Sequence, residues 1–243
     1  MTSFAEDTIA TRAADEAAAL SAVEPARLVV RGVTKHWRGQ PSPVLDHADL
    51  ELSAGQLVAV VGRNGAGKTT LLRIIAGLIF PDSGTVVLDG LHPSKARRDY
   101  QRRLGFLSAS YGGLYARLTV RQHLDLWARL AYVPRNRRDA AIEQAIERFE
   151  LRDLLAAKRV DRLSMGQRQR LRLAMAFLHE PRLVLLDEPW NSLDEDGHRV
   201  LLSALRSLIG GGGTAICCSP TGAEIGSDAQ ATYCVEGGKV TPR

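Results

Sequence analysis

The sequence predicts an α/β fold built around a parallel sheet, and three observations carry that expectation. An apolar run, Leu57 to Val61, passes through a glycine-rich loop into a helical run, Thr69 to Ala76. A second apolar run, Leu183 to Asp187, is short and ends on a carboxylate, as a strand buried on both faces does when it delivers a side chain to a sheet edge. A third, Thr214 to Cys218, follows a helical stretch, and strands alternating with helices make a sheet with crossover connections.

The remaining elements follow in chain order. Arg27 to Val33 and Val44 to Leu52 alternate apolar and polar residues as half-buried strands should, with a turn at Gly39 to Pro43 between them. Ser53-Ala54-Gly55-Gln56 turns the chain into the strand at Leu57. After the first helix, Phe80-Pro81-Asp82-Ser83-Gly84 makes a tight turn into a strand over Thr85 to Leu88, and Leu104 to Leu107 reads as another. Val120 to Ala131 has helical spacing, with Leu124, Trp127 and Leu130 on one stripe. Arg138 to Phe149 repeats the pattern with Ile142, Ile146 and Phe149. An arginine-rich helical run follows Ser164, and Glu195 to Ile209 is a helix ended by Gly210 to Gly213. Cys217 and Cys218 are neighbours on a strand and so point to opposite faces, and Cys234 lies in a further strand. Without a CxxC spacing the three read as small core residues in a reducing compartment.

The loop Gly62-Arg63-Asn64-Gly65-Ala66-Gly67-Lys68-Thr69 has the spacing of a phosphate-binding loop. Its glycines let backbone N–H groups close on phosphate oxygens, Lys68 reaches the β- and γ-phosphates, and Thr69 faces Mg²⁺ with Thr70 beside it. The following helix adds its positive N-terminal pole. Asp187 is the matching metal ligand at a strand end, and Glu188 next to it stands where a general base for attacking water belongs. The alternative for this pair is an ordinary acidic strand end. Leu163-Ser164-Met165-Gly166-Gln167 lies between these motifs. Ser164 caps the helix that follows, whatever else it does.

The three motifs in this order resemble those of the ATP-binding-cassette (ABC) proteins over nearly the whole chain, from about Leu28 to Val240. Leu163 to Gln167 is similar to the LSGGQ signature, with Met165 for the first glycine, and Ser192-Leu193-Asp194 looks like the loop that meets the opposite subunit. The resemblance implies a P-loop NTPase with a RecA-like core, an antiparallel β subdomain and a helical signature subdomain at about residues 110–165, all in one nucleotide-binding domain over 27–241. It implies ATP and Mg²⁺ as cofactors, with ATP bound by Gly62 to Thr70 of one subunit and by Ser164, Gly166 and Gln167 of another. Glu188 and Lys68 would be catalytic, and Thr69 and Asp187 would hold the metal. Trp37 stands where such proteins place an aromatic residue that stacks on adenine. Its other reading is a tryptophan on the core surface. The implied partners are a second nucleotide-binding subunit, the same or different, and a polytopic membrane permease. The chain would then sit peripherally at the cytoplasmic face of the cell membrane. Gly113 to Thr119 and the short helical region look most similar to exporters of the drug, polysaccharide or haem type.

Departures from the family pattern bear on rate. Ser108-Ala109-Ser110 stands where a glutamine that approaches Mg²⁺ is expected. Pro220 stands where a histidine contacts the γ-phosphate, and the last histidine of the chain is His198. Proline offers neither a side-chain donor nor an N–H, so the expectation is MgATP binding with slow hydrolysis. Ser219 or Thr221 would be the side chains nearest to a replacement. The alternative function is a cassette that binds ATP as a regulatory subunit and turns over little. A soluble cassette acting on ribosomes or DNA would bring a second cassette or a long coiled coil, and the sequence has neither.

Composition limits the remaining classes. Hydrophobic residues make up 45% and charged residues 24% of the 243, ordinary for one globular domain. No apolar stretch approaches the roughly 18 residues of a membrane helix. Met1 to Ala26 is alanine-rich with scattered acids, lacks the basic start and apolar core of a secretory signal, and reads as a disordered tail. The net charge of +5 is concentrated partly in Arg97 to Arg103 and Arg135 to Arg138. Exposed helix faces or an anionic leaflet account for such runs, and no nucleic acid is expected as a partner.

Overall fold

The central strands are apolar throughout, and their two-residue period divides the interior into two cores. The computed structural model describes residues 28–110, 112–155 and 159–243; the tail expected over 1–26 lies outside the described residues. Strands β1 (Leu28–Lys35), β2 (Leu45–Leu52) and β4 (Ser83–Leu88) form an antiparallel sheet in the order β2-β1-β4. Strands β3 (Leu57–Val61), β5 (Leu104–Leu107), β6 (Leu183–Asp187), β7 (Thr214–Ser219), β8 (Ala231–Glu236) and β9 (Lys239–Pro242) form the second sheet, in the order β5-β6-β7-β3-β8-β9. Its pairs are parallel except for β8 with β9.

Alternate residues of the parallel strands face different partners. Leu57, Ala59 and Val61 of β3, Val184 and Leu186 of β6, and Ala215 and Cys217 of β7 join one core; Val58, Val60, Leu183, Leu185, Ile216 and Cys218 join the other. Cys217 and Cys218 thus lie on opposite faces, both fully buried and unbridged. The second core is completed by the antiparallel sheet and by α1 (Lys68–Ile75). The first takes the apolar faces of α3 (Val120–Leu130), α4 (Arg135–Arg148), α5 (Met165–Phe177) and α6 (Glu195–Gly210). The one short helix on the other side, α2 (Arg97–Gln101), has no apolar periodicity and was not visible in the sequence; Tyr100 anchors it through its hydroxyl, which donates to the Ile75 carbonyl at 2.6 Å.

Local chemistry sets the helix starts. Thr119 opens α3 with a capping box: its hydroxyl accepts from the Gln122 N–H at 3.3 Å while the Gln122 side chain accepts from the Thr119 N–H at 2.9 Å. Ile142, Ile146 and Phe149 are buried as the spacing requires, as is Leu124. The stripe on α3 is narrower than expected, for Trp127 is only partly buried and Leu130, the last residue of the helix, is 58% exposed. Gly105 lets β5 lie close against α5, since a Cβ there would collide with the Ala176 carbonyl.

Candidate functional site

Strand order brings the chemistry-bearing loops together. In the sequence β6-β7-β3 of the sheet, Asp187 pairs with Cys218 and Val61 with Ser219, so three strands end side by side. The glycine-rich loop leaves the end of β3, Asp187-Glu188 leave the end of β6, and Pro220 leaves the end of β7 between them. β5 ends beside β6, which puts Ser108 to Ser110 on the same edge.

Within the loop, Arg63, Asn64 and Gly65 are exposed and Ala66 partly so, its N–H closing a turn on the Arg63 carbonyl at 3.1 Å. Gly67 has φ 111°, and a Cβ there would lie 2.7 Å from the Val44 carbonyl, so the hairpin of β1 and β2 can touch the loop only at a glycine. Lys68 is buried and donates to the carbonyls of Gly62 at 2.6 Å and Arg63 at 3.1 Å, folding the loop around its own ammonium. The Thr69 hydroxyl donates to Asp187 Oδ2 at 2.8 Å, tying α1 to β6. Thr70 is the next residue of α1 and is half-buried.

Asp187 is 1% exposed, and burial pushes its carboxyl above the usual range against the opposing hydrogen bond from Thr69. The Ala109 N–H points at the same Oδ2 at 3.4 Å, whereas Oδ1 is buried without a hydrogen-bond partner. A buried carboxylate oxygen left open costs free energy unless a ligand completes it. The hard oxygens of Thr69 and Asp187 suit a divalent cation that takes its other ligands from phosphate and water. Glu188 is held at φ 49°, a left-handed conformation, with its N–H on the Cys218 carbonyl at 3.0 Å and its Oε2 accepting from Asn191 at 2.7 Å. Such a conformation at a non-glycine residue costs on the order of 1–3 kcal/mol and needs surrounding support.

Trp37 lies in the turn after β1 and is 39% exposed. Lys35 Nζ lies 5.6 Å from its ring centroid and is itself held by Asp82 at 2.8 Å. Ser164 opens α5 with a second capping box: its Oγ accepts from the Gln167 N–H at 3.2 Å and Gln167 Oε1 accepts from its N–H at 3.0 Å. Gly166 packs against this chain's own Ser192, whose carbonyl would be 2.9 Å from an added Cβ. The signature turn thus belongs to the same rigid unit as the loop after Glu188, and its polar groups are engaged locally. Past β7, the buried Ser219 hydroxyl accepts from the Gly222 N–H at 2.7 Å and the Thr221 hydroxyl from the Ala223 N–H at 3.2 Å. Pro220 between them is exposed and brings no donor to the edge.

Three side chains here escaped the sequence reading: Asn191, which holds Glu188, and the buried pair Gln169 and Arg172 on α5. The only trace of Gln169 and Arg172 in the sequence is polarity at i and i+3 on a helix face that is otherwise apolar.

The sheet order and this edge define a P-loop α/β protein with a RecA-like core, an antiparallel β subdomain and a helical signature subdomain. Comparison with known proteins is more specific: residues 45–191 match the family model described as ABC transporter, and the chain belongs to that family. The ABC transporter ATP-binding protein NatA of Bacillus subtilis is 36% identical over 65% of this chain, and the daunorubicin resistance ATP-binding protein DrrA3 of Streptomyces coeruleorubidus 34% identical over 88%. The matches cover 64% and 66% of those proteins, so the chain spans just under two thirds of their length. A solved ATP-binding subunit of an ABC transporter superposes with a TM-score of 0.80 at 25% identity, over 88% of this chain and 87% of that one.

Proposed function

We propose that this chain is the ATP-binding and ATP-hydrolysing subunit of an ABC membrane transporter, of exporter type by its likeness to DrrA3. It dimerises head-to-tail with a second cassette and powers a separate polytopic permease from the cytoplasmic face of the membrane. The observation that carries the reading is the meeting of Lys68, Thr69 and the open-sided Asp187 at one strand edge. Among the described residues no helix is long and apolar enough to cross a membrane, which agrees with a peripheral subunit.

On binding ATP, Lys68 exchanges the carbonyls of Gly62 and Arg63 for oxygens of the β- and γ-phosphates. The N–H groups of the loop and of the first turn of α1 take the remaining phosphate charge. Trp37 stacks on adenine with its free face while Lys35 backs the other. Thr69 and Asp187 would hold Mg²⁺, which would supply positive charge against the phosphate oxygens. Glu188, oriented by Asn191, accepts a proton from the water whose oxygen bonds to the γ-phosphorus as the bridging oxygen leaves with ADP. Pro220 gives no donor to the transferring group, and the loss of one such donor costs about 10²–10³ in rate. Ser164, Gly166 and Gln167 face the nucleotide held by the second cassette; within this chain the side chains of Ser164 and Gln167 bond only to each other's N–H groups.

The test is MgATP binding and turnover of the purified chain beside Lys68→Ala and Glu188→Gln. The reading expects wild type to bind and turn over slowly, Lys68→Ala to lose binding, and Glu188→Gln to bind without turnover. Equal binding by wild type and Lys68→Ala rejects it.

A further inference from the structure

A buried guanidinium, with the amide it holds, joins the loop after β5 to the residue that follows Glu188. Arg172 lies on α5 beyond the signature turn and is 7% exposed. It donates to the carbonyl of Ser108 at 2.6 Å and to that of Ser110, and through Nη1 to Gln169 Oε1 at 2.9 Å. Gln169 is 2% exposed and donates onward from Nε2 to the carbonyl of Pro189 at 2.9 Å. The two carbonyls gripped after β5 flank Ala109, whose N–H faces Asp187 Oδ2. The one gripped after β6 belongs to the residue that follows Glu188. Two linked side chains of α5 therefore set the main chain next to both carboxylates, Arg172 beside Asp187 and Gln169 beside Glu188.

We propose that Arg172, acting through Gln169, is a positioning residue for ATP hydrolysis. It ties the signature helix to the loops that aim Asp187 and Glu188. The Ser108 to Ser110 loop has no long side chain to reach the centre, and here it is ordered from outside through its carbonyls. The strained φ of Glu188 needs such support. A planar guanidinium spans several acceptors in fixed directions, whereas an ammonium on a flexible stem places one point charge. Because α5 begins at Ser164, a shift of the signature turn toward a second cassette moves this strut with it. The inference rests on the hydrolytic reading given above.

The test uses the full chain with Arg172→Lys, Gln169→Asn and the double variant, recording kcat, KM, MgATP binding and the thermal midpoint. Each single variant is expected to lower kcat by about 10- to 100-fold, the cost of slightly misplaced reacting groups, with KM and binding within about twofold. The double variant should be no slower than the worse single one, since both cut the same strut. Gln169→Asn keeps Arg172 and shortens the arm to Pro189, so it carries the test if Arg172→Lys does not fold. Unchanged kcat in either folded variant, or binding that falls in step with kcat, overturns the inference while leaving the hydrolytic reading in place. A wild type that turns over no faster than Glu188→Gln overturns both.

Discussion

Asp187, the proposed metal ligand, carries a stability cost. Burial raises its carboxyl pKa above the ordinary value of 3.8. The folded protein therefore holds that proton to higher pH than the unfolded chain does, and stability declines as pH rises through the raised value. Once ionised, the buried carboxylate carries that cost, and a cation held there would relieve it. Asp187→Asn keeps an acceptor for the Thr69 hydroxyl and removes the charge. In differential scanning calorimetry without nucleotide it should melt above wild type at neutral pH, and it should lose the further rise that MgATP gives wild type. A melting point below wild type would show that the carboxylate is not under strain. Trp37 makes the second case at this scale. Its exposed ring and the Lys35 ammonium behind it suit stacking, worth about 1–3 kcal/mol per base. Trp37→Ala should weaken MgATP binding by about 5- to 150-fold by that figure, with the melting point unmoved; isothermal titration reads this directly.

Elements were more legible than their connections. The apolar runs at β3, β6 and β7 gave their strands within a residue, because strands buried on both faces have little choice of composition. The stripes of α3 and α4 placed both helices, yet Leu130 is exposed, since periodicity marks a face and not how far along that face a neighbour reaches. Arg172 and Gln169 were hidden for the converse reason: in an arginine-rich helix nothing local says which arginine turns inward. His123 shows a connection of the same kind. It is buried on α3, its Nε2 accepts from the Tyr115 N–H at 2.8 Å, and Nδ1 therefore carries the proton, facing the Thr119 carbonyl at 3.3 Å. Burial depresses its pKa below the ordinary 6.5, so the unfolded chain binds the extra proton first and stability is lost as pH falls through that value. The thermal midpoint should drop between about pH 7.5 and pH 5.5, with a shallower drop in His123→Asn. Equal slopes would remove His123 from the account.

For the whole molecule, the order of three motifs along the chain made the family legible, and the sheet order explains why that order works. β7 lies between β3 and β6, so the residue after β7 falls between the phosphate loop and the carboxylate pair. Sequence alone could say that Pro220 lacks a donor; the topology puts that lack at the centre of the edge. The signature turn, by contrast, has its Ser164 and Gln167 side chains satisfied inside its own chain. In the proposed function this cassette binds MgATP through an intact loop and hydrolyses it slowly for want of one donor. Steady-state turnover of wild type beside Pro220→His, with MgATP binding on the same samples, tests it most directly. The account predicts equal binding and faster turnover in Pro220→His. Brisk wild-type turnover that Pro220→His leaves unchanged would contradict it.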